Sequence, residues 1–247
     1  MGSFGKARFD FLIFIYMTLN SKKIYTKSIV TGASGFIGVP LVKSLLKKNE
    51  EVIVVDINPP KEKNCRSYVR DVSEKNSLDD IVDDKTIIYH LAAKASVPES
   101  VENPIDDFNN TCYGIFQVLE TARKKNCKVI FPSTASIFDP SNKLPVTERS
   151  YVKPSSPYGA AKVSGEAYCY VYNRCYGIDV RVARMFSVYG IGMNRFFIHD
   201  VIKKIQNDKL NLTLLGDGKQ IRDYLYIDDV VKGLQDIANY GLPGEDY

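Results

Sequence analysis

The chain has 247 residues, 45% of them hydrophobic and 25% charged, with a net charge of +4. That is the profile of a water-soluble globular protein of one large domain or a domain and a half. Lys and Arg runs are short, as at Lys22-Lys23, Lys47-Lys48 and Lys124-Lys125, which argues against a stripe that tracks nucleic-acid phosphates. The five cysteines (Cys65, Cys112, Cys127, Cys169 and Cys175) form no C-x-x-C pair, and only two histidines accompany them. Neither a metal site nor a disulfide framework is expected, and the thiols suit a reducing, cytoplasmic setting.

Residues 1–22 stand apart. The stretch 9–19 (FDFLIFIYMTL) is apolar apart from Asp10, yet shorter than the ~20 residues a membrane span needs. Lys6 and Arg8 precede it as in a signal peptide, but no small-residue cleavage site follows. It reads as an appended leader, with Met17 as an alternative start; a weak membrane anchor is the competing reading.

The run 23–31 ends in buried-strand residues that meet a Gly-rich turn. Residues 39–48 have helical spacing, with Val39, Leu41, Val42, Leu45 and Leu46 on one side. Residues 51–56 (EVIVVD) read as a second buried strand, stopped by Asn58-Pro59-Pro60. A third strand is expected before Asp71, then a polar helix over 75–82 and a strand over 86–91. A long helix is expected over 103–125, a strand over 128–131, a second long helix over 158–176 and a strand over 179–183. This alternation predicts an α/β fold: a Rossmann-type, doubly wound parallel sheet with both faces covered. After residue 190 the alternation weakens to a helix over 195–207, a short strand over 212–215, a turn at 216–218 and no closing element at 244–247. The expected division is a dinucleotide-binding domain over 23–190 and a small, apparently truncated lobe over 191–247, with segments interleaved with the sheet.

Gly32, Gly35 and Gly38, in TGASGFIG, follow a strand and open a helix. The first glycine permits a tight turn, the second lets backbone approach a pyrophosphate, and the third lets helix and strand pack closely. The helix N-terminus then faces the phosphates. Asp56, ending the second strand, is placed to accept hydrogen bonds from ribose hydroxyls and to repel a 2′-phosphate, which favours NAD over NADP. Asp71, ahead of Val72, is either an adenine contact or the cap of the next helix. Tyr158 and Lys162 are four apart on an expected helix and share a face. An ordinary phenol titrates near pH 10; a nearby ammonium and a positively charged cofactor ring would lower that value. Ser133 or Thr134, at a strand end, could orient a substrate hydroxyl.

These residues resemble the extended short-chain dehydrogenase/reductase family, specifically its NAD-dependent nucleotide-sugar epimerase/dehydratase group. The matching stretches are TGASGFIG, VIVVD, RDV, HLAA, PSTAS, PYGAAK, RMFSVYG and LLGDGKQIRDYLYIDDV, across about residues 25–247. The resemblance implies Tyr158 as acid/base, Lys162 as the residue that binds the ribose and tunes Tyr158, and Thr134 as a contact to the reacting hydroxyl. It also implies Phe36 and Ile37 in the phosphate turn, Val72, Ala92 and Ala93 along the cofactor, and Ser133, Ser187 and Arg222 on the substrate side. Ser187 stands where the group usually has Asn, and Thr111 stands three before Gly114 where an Asn is common. Both departures bear on substrate contacts. The implied activity is a UDP-sugar 4-epimerase acting through a transient 4-keto sugar. Dehydratase, decarboxylase and reductase chemistry are the alternatives, and a non-catalytic NAD-binding module is a reading of another class. Ala135 after Thr134 argues against the dehydratases, which carry an acid there. The helices over 103–125 and 158–176 resemble those that pair in the family's dimers, with Tyr168, Tyr170, Tyr172 and Tyr176 suited to an interface.

Overall fold

The computed structural model describes residues 23–48, 50–60, 62–207, 212–214 and 216–247; the readings made of residues 1–22 lie outside them. Six strands form one parallel sheet in the order β3-β2-β1-β4-β5-β6. They are β1 (Lys27–Thr31), β2 (Glu51–Asp56), β3 (Arg66–Val69), β4 (Thr86–His90), β5 (Lys128–Thr134) and β6 (Val180–Met185). β4 is buried along its whole length, β1 and β2 along all but their first residue. This is what a sheet covered on both faces requires, and it explains runs of Val and Ile without polar alternation.

One face carries α4 (Gly114–Lys125) and α5 (Pro157–Tyr176), whose Ile115, Val118, Leu119, Cys169 and Tyr172 join Ile29, Ile53, Ile88 and Phe131 in one core. The other carries α1 (Gly38–Leu46) and α7 (Ile227–Tyr240), whose Leu41, Leu45, Val230, Val231 and Leu234 join Val30, Val54, Tyr89 and Ile130. Each fully buried aliphatic side chain of this kind contributes about 1.5–3 kcal/mol. α7 was not anticipated. Its carbonyl end is held by two buried cations: Lys128 Nζ donates to Ala238 O at 2.7 Å, and Arg181 Nη1 to Ile237 O and Ala238 O at 2.6 and 2.8 Å. Cations there satisfy the orphan carbonyls and complement the helix dipole.

Other departures have local causes. Residues 75–82 form successive turns instead of a helix. Asn76 adopts φ 63° and interrupts the run, while Leu78, Ile81 and Val82 still reach the core. The helix expected over 103–125 is preceded by a separate α2 (Val97–Glu102), begun by the Ser96 cap, and is itself three pieces: α3 (Pro104–Asp107), a π-helical turn (Phe108–Tyr113) and α4. Pro104 starts a new helix because it lacks the N–H an interior position needs. Residues 212–214 lie in no strand. Two unexpected short strands, β7 (Ser187–Tyr189) and β8 (Tyr224–Tyr226), pair in parallel, and α6 is Phe197–Asn207. The last residues do close the sheet: Val182 and Arg184 donate to Glu245 O and Tyr247 O, and Tyr247 donates back to Val182 O. Arg184 pairs with Glu166 at 2.7 Å and with Asp246, pinning this tail to α5.

Candidate active site

The β1–α1 turn leaves no room for side chains. A Cβ on Gly32, which has φ +66°, would stand 2.7 Å from Ala92 N, and one on Gly38 would stand 2.3 Å from Gly32 O. The turn is therefore pressed against the β4 end on one side and against its own helix on the other. A cleft of about 270 Å³ opens in front of it, lined by Gly32, Ser34, Gly35, Asp56, Asp71, Val72, Ala92 and Ala93 among others. Phe36 and Ile37 do not line it: Ile37 packs on the core and the Phe36 ring approaches Gly192.

Asp56 is buried at the end of β2, where it accepts hydrogen bonds from the Ser34 and Asn58 backbone N–H groups, both at 2.9 Å. These bonds fix the carboxylate at the cleft wall and tie it to the glycine turn. Asp71 accepts from both the N–H and the hydroxyl of Ser73, at 2.8 and 2.7 Å, while also lining the cleft. Capping and cleft-lining thus coexist at this residue. Ser34, Asn58 and Asn110 are cleft residues that no motif had singled out. Ser34 lies inside TGASGFIG and was within reach of that motif; Asn110 comes from the π-helical turn, immediately before Thr111, which stands where the group commonly has Asn.

The second half of the site rests on α5. Ser156 caps the helix by accepting from Gly159 N–H at 3.1 Å, Pro157 begins it, and Gly177 (φ +68°) ends it. Gly165 lets it press onto β5: a Cβ there would stand 2.7 Å from the Phe131 ring. Tyr158 and Lys162 therefore sit one turn apart against the C-terminal end of β5, both buried. Lys162 Nζ donates to Pro132 O at 2.7 Å and lies 4.6 Å from the Phe131 ring centroid. Burial pushes the Lys162 ammonium down to about 8.

Burial also pushes the Tyr158 phenol up, to about 12, against the opposing pull of the Thr134 hydroxyl. The lowering expected from a neighbouring ammonium is not realised in the protein by itself, where burial dominates the phenol and the Lys162 ammonium is directed at the Pro132 carbonyl. Thr134 Oγ1 accepts from Ser136 N–H at 3.1 Å, and Ser133 Oγ is buried without a hydrogen-bond partner. Ser187 is half-buried in β7, its N–H bonded to Asp223 O at 3.1 Å. Arg222 is exposed just before β8 and does not line the cleft. A second hollow, of about 320 Å³, lies at the β6 edge beside Glu166, Arg184 and Asp246, remote from the glycine turn.

The parallel sheet, the glycine turn with its acid one strand on, and the Tyr158–Lys162 pair at the β5 end, which like Ser133 and Thr134 lies outside the lining of that cleft, define an extended short-chain dehydrogenase/reductase. Residues 28–247 match the model of the NAD-dependent epimerase/dehydratase family, and the chain belongs to that family. It is 33% identical over 224 residues to the UDP-glucuronate 4-epimerase of Thermodesulfobacterium geofontis, covering 83% of this chain and 69% of that one. Among solved structures it resembles a UDP-glucose 4-epimerase of Thermotoga maritima with UDP-glucose: TM-score 0.81, 31% identity, 90% of this chain and 75% of that one. A dTDP-glucose 4,6-dehydratase of Streptomyces venezuelae with NAD and TYD bound is as similar in fold, with TM-score 0.81, 27% identity and coverage of 90% and 74%. NAD is the family's cofactor, and the side-chain-free turn facing a buried carboxylate fits it. No helix among the described residues is long and apolar enough to cross a membrane.

Proposed function

We propose that this protein is an NAD-dependent nucleotide-sugar 4-epimerase, acting on a UDP-hexose or its N-acetyl form. The observation that carries this is the pairing of Tyr158 with Thr134 at the β5 end, followed by Ala135 where the group's dehydratases carry an acid. A carboxylic acid near the sugar would assist loss of water; an alanine leaves only proton exchange at the reacting hydroxyl.

In this reading Thr134 orients the C4 hydroxyl and Tyr158 takes its proton, later returning it to the product hydroxyl. Gly32, Gly35 and Gly38 hold the pyrophosphate, Asp56 the adenosine ribose, and Lys162 the ribose nearest the reacting carbon. Bound NAD supplies a reversible hydride acceptor with a positively charged ring. Its regeneration in each cycle makes it a resident cofactor. The Tyr158 phenol is protonated at neutral pH in its own surroundings, so the positive charge that favours phenolate has to arrive with the cofactor. Ser133, Ser187 and Arg222 take the sugar and diphosphate, Arg222 by moving from its exposed position onto the phosphates.

We further propose a homodimer through α4 and α5. Tyr113, Tyr168 and Tyr176 are each 40% exposed or more there, whereas Tyr170 lines the hollow at the β6 edge. Tyr172 is not available for it, because it is buried with its hydroxyl donating to Glu120 at 2.6 Å.

The test is a coupled assay on the full chain with NAD, against UDP-glucose, UDP-galactose and their N-acetyl forms. C4 interconversion is expected. Tyr158→Phe should keep NAD binding and lose at least ~10²-fold in turnover. Full activity in that variant would remove Tyr158 from the mechanism.

A further inference from the structure

β1 and β4 lie side by side in the middle of the sheet, with Thr31 opposite His90 at the end of their paired register. The strand order reverses here: β2 and β3 lie beyond β1, while β5 and β6 lie beyond β4. Open parallel sheets bind their cofactors outside the strand ends at such a switch point. A backbone bond from Leu91 N–H to Thr31 O, at 3.1 Å, closes the ladder. Past it the two chains part, because Gly32 N–H turns to Val55 O of β2, at 2.9 Å.

Side chains carry the contact one residue further. Ala92 N–H donates to Thr31 Oγ1 at 3.2 Å, and Thr31 Oγ1 lies 2.9 Å from His90 Nδ1. Both side chains are buried, and neither residue lines the cleft. Ala92 and Ala93 do line it, beside Gly32 and Gly35, and the Gly32 backbone presses on Ala92 too closely for a Cβ. The Thr31 hydroxyl therefore ties the wall formed by Ala92 and Ala93 to the strand that ends in the glycine turn.

The direction of these bonds follows from counting hydrogens. A threonine hydroxyl has one hydrogen to donate. It accepts from Ala92 N–H, so its own hydrogen goes to His90 Nδ1, which is then the bare nitrogen. His90 Nε2 has no hydrogen-bond partner among the described residues. An Nδ1–H tautomer would leave both the hydroxyl hydrogen and Nε2 unpaired, whereas an Nε2–H tautomer leaves Nε2 alone unpaired. Burial keeps the ring neutral, pushed down to about 3. Its orientation is fixed by Phe131, whose ring centroid lies 6.3 Å away, and by the start of α4, where a Cβ on Gly114 would stand 3.9 Å from Nε2.

We propose that Thr31 and His90 are positioning residues of the NAD site: His90 Nδ1 orients the Thr31 hydroxyl, which holds Ala92 N–H and so sets Ala92 and Ala93 against the glycine turn. The inference rests on the reading of Gly32, Gly35, Ala92 and Ala93 as the cofactor seat. It extends that seat to two side chains that never touch the cofactor.

The experiment has two readouts, both on the full chain. The first is the His90 tautomer, from ¹⁵N NMR of histidine-labelled protein. The chain has two histidines, and the other signal is identified by its loss in His199→Gln. His90 should show a protonated Nε2 and a bare Nδ1; a protonated Nδ1 overturns the proposal.

The second readout is NAD affinity by calorimetric titration, with urea unfolding of each variant alongside. Thr31→Val keeps the shape without the hydroxyl, and His90→Leu removes the acceptor. Each should bind NAD about three- to tenfold more weakly, the effect of one net hydrogen bond. Thr31→Ser restores the hydroxyl, and His90→Asn places Oδ1 where Nδ1 stood; both should stay within about twofold of wild type. A bond with a purely structural role would lower the urea midpoint of Thr31→Val and leave its NAD affinity unchanged. That result, or His90→Asn binding NAD as weakly as His90→Leu, overturns the proposal. Should Thr31→Val or His90→Leu not fold, the wild-type tautomer decides. Neither readout involves sugar turnover, so failure here is distinct from failure of the Tyr158→Phe test.

Discussion

Replacing Gly38 by alanine tests whether the glycine turn is built for the cofactor. The added Cβ would stand 2.3 Å from Gly32 O and 2.7 Å from Ala33 Cα, both backbone atoms that no rotamer change can move. Restoring an ordinary contact of 3.4 Å requires α1 to retreat from the turn by about 1 Å, an overpacking strain of about 1–3 kcal/mol. The same retreat lengthens every N–H···phosphate contact at the helix N-terminus by a similar distance. Losing one charge-assisted bond of ~1.5–3 kcal/mol weakens NAD binding by roughly 10- to 100-fold. Calorimetric titration with NAD, alongside urea unfolding, measures both effects. Gly177→Ala is the control: nothing lies within 4 Å of its Cβ, but its φ of +68° makes alanine strained. It should cost about 1–2 kcal/mol and leave NAD affinity unchanged. If Gly38→Ala bound NAD within twofold of wild type, the turn would not be the pyrophosphate seat.

Further expectations concern charge. Asp56→Ala frees the Ser34 and Asn58 N–H groups and should narrow the NAD over NADP preference by at least tenfold, worth ~1.4 kcal/mol; an unchanged affinity ratio would assign selection elsewhere. His90, pushed down to about 3 in the folded protein, has a folded value below its unfolded one near 6.5. Its contribution is therefore present above pH 6.5 and lost as pH falls toward 3. Wild type should lose about 2 kcal/mol from this group between pH 6.5 and pH 4.5, and His90→Asn should flatten that slope in urea midpoints; parallel slopes would contradict it. Arg181→Met leaves the Ile237 carbonyl without that donor and Asp179 without its guanidinium. It should cost about 2–4 kcal/mol by urea unfolding, whereas a loss under ~0.5 kcal/mol would mean the clamp is dispensable.

The sheet was legible because its strands are short Val- and Ile-rich runs stopped by Gly, Pro or Asn, and because α5 carries its own start and stop signals in Ser156, Pro157 and Gly177. What escaped reading had weaker local signals. α7 has a strongly amphipathic pattern in VVKGLQDIANY, but Gly233 within it and the irregular stretch before it hid the helix. The turns at 75–82 carry helix-like apolar spacing, because Leu78, Ile81 and Val82 are core residues reached by a non-helical backbone. In the site, Gly32, Gly38, Asp56, Tyr158 and Lys162 could be named from spacing. The direction of the Lys162 ammonium could not, since it depends on a carbonyl 30 residues away. The burial of Asp107 was not legible either: adjacent acids at 106 and 107 look alike in sequence, and only folding separates the surface partner of Lys94 from the buried one.

The two cations at the end of α7 also bear on how the protein is made. Lys128 and Arg181 are synthesised long before Ile237 and Ala238, the residues whose carbonyls they hold. While the ribosome is still at work, β1, β2 and β4 can assemble with α1, but part of the sheet face that buries Val230, Val231 and Leu234 stays open. Two buried-to-be charges wait beside it without these carbonyls. The nascent chain thus passes through a stage with an apolar sheet face open to its neighbours, the condition under which partly made proteins aggregate or recruit chaperones. The stage ends when α7 lays Val230, Val231 and Leu234 onto that face.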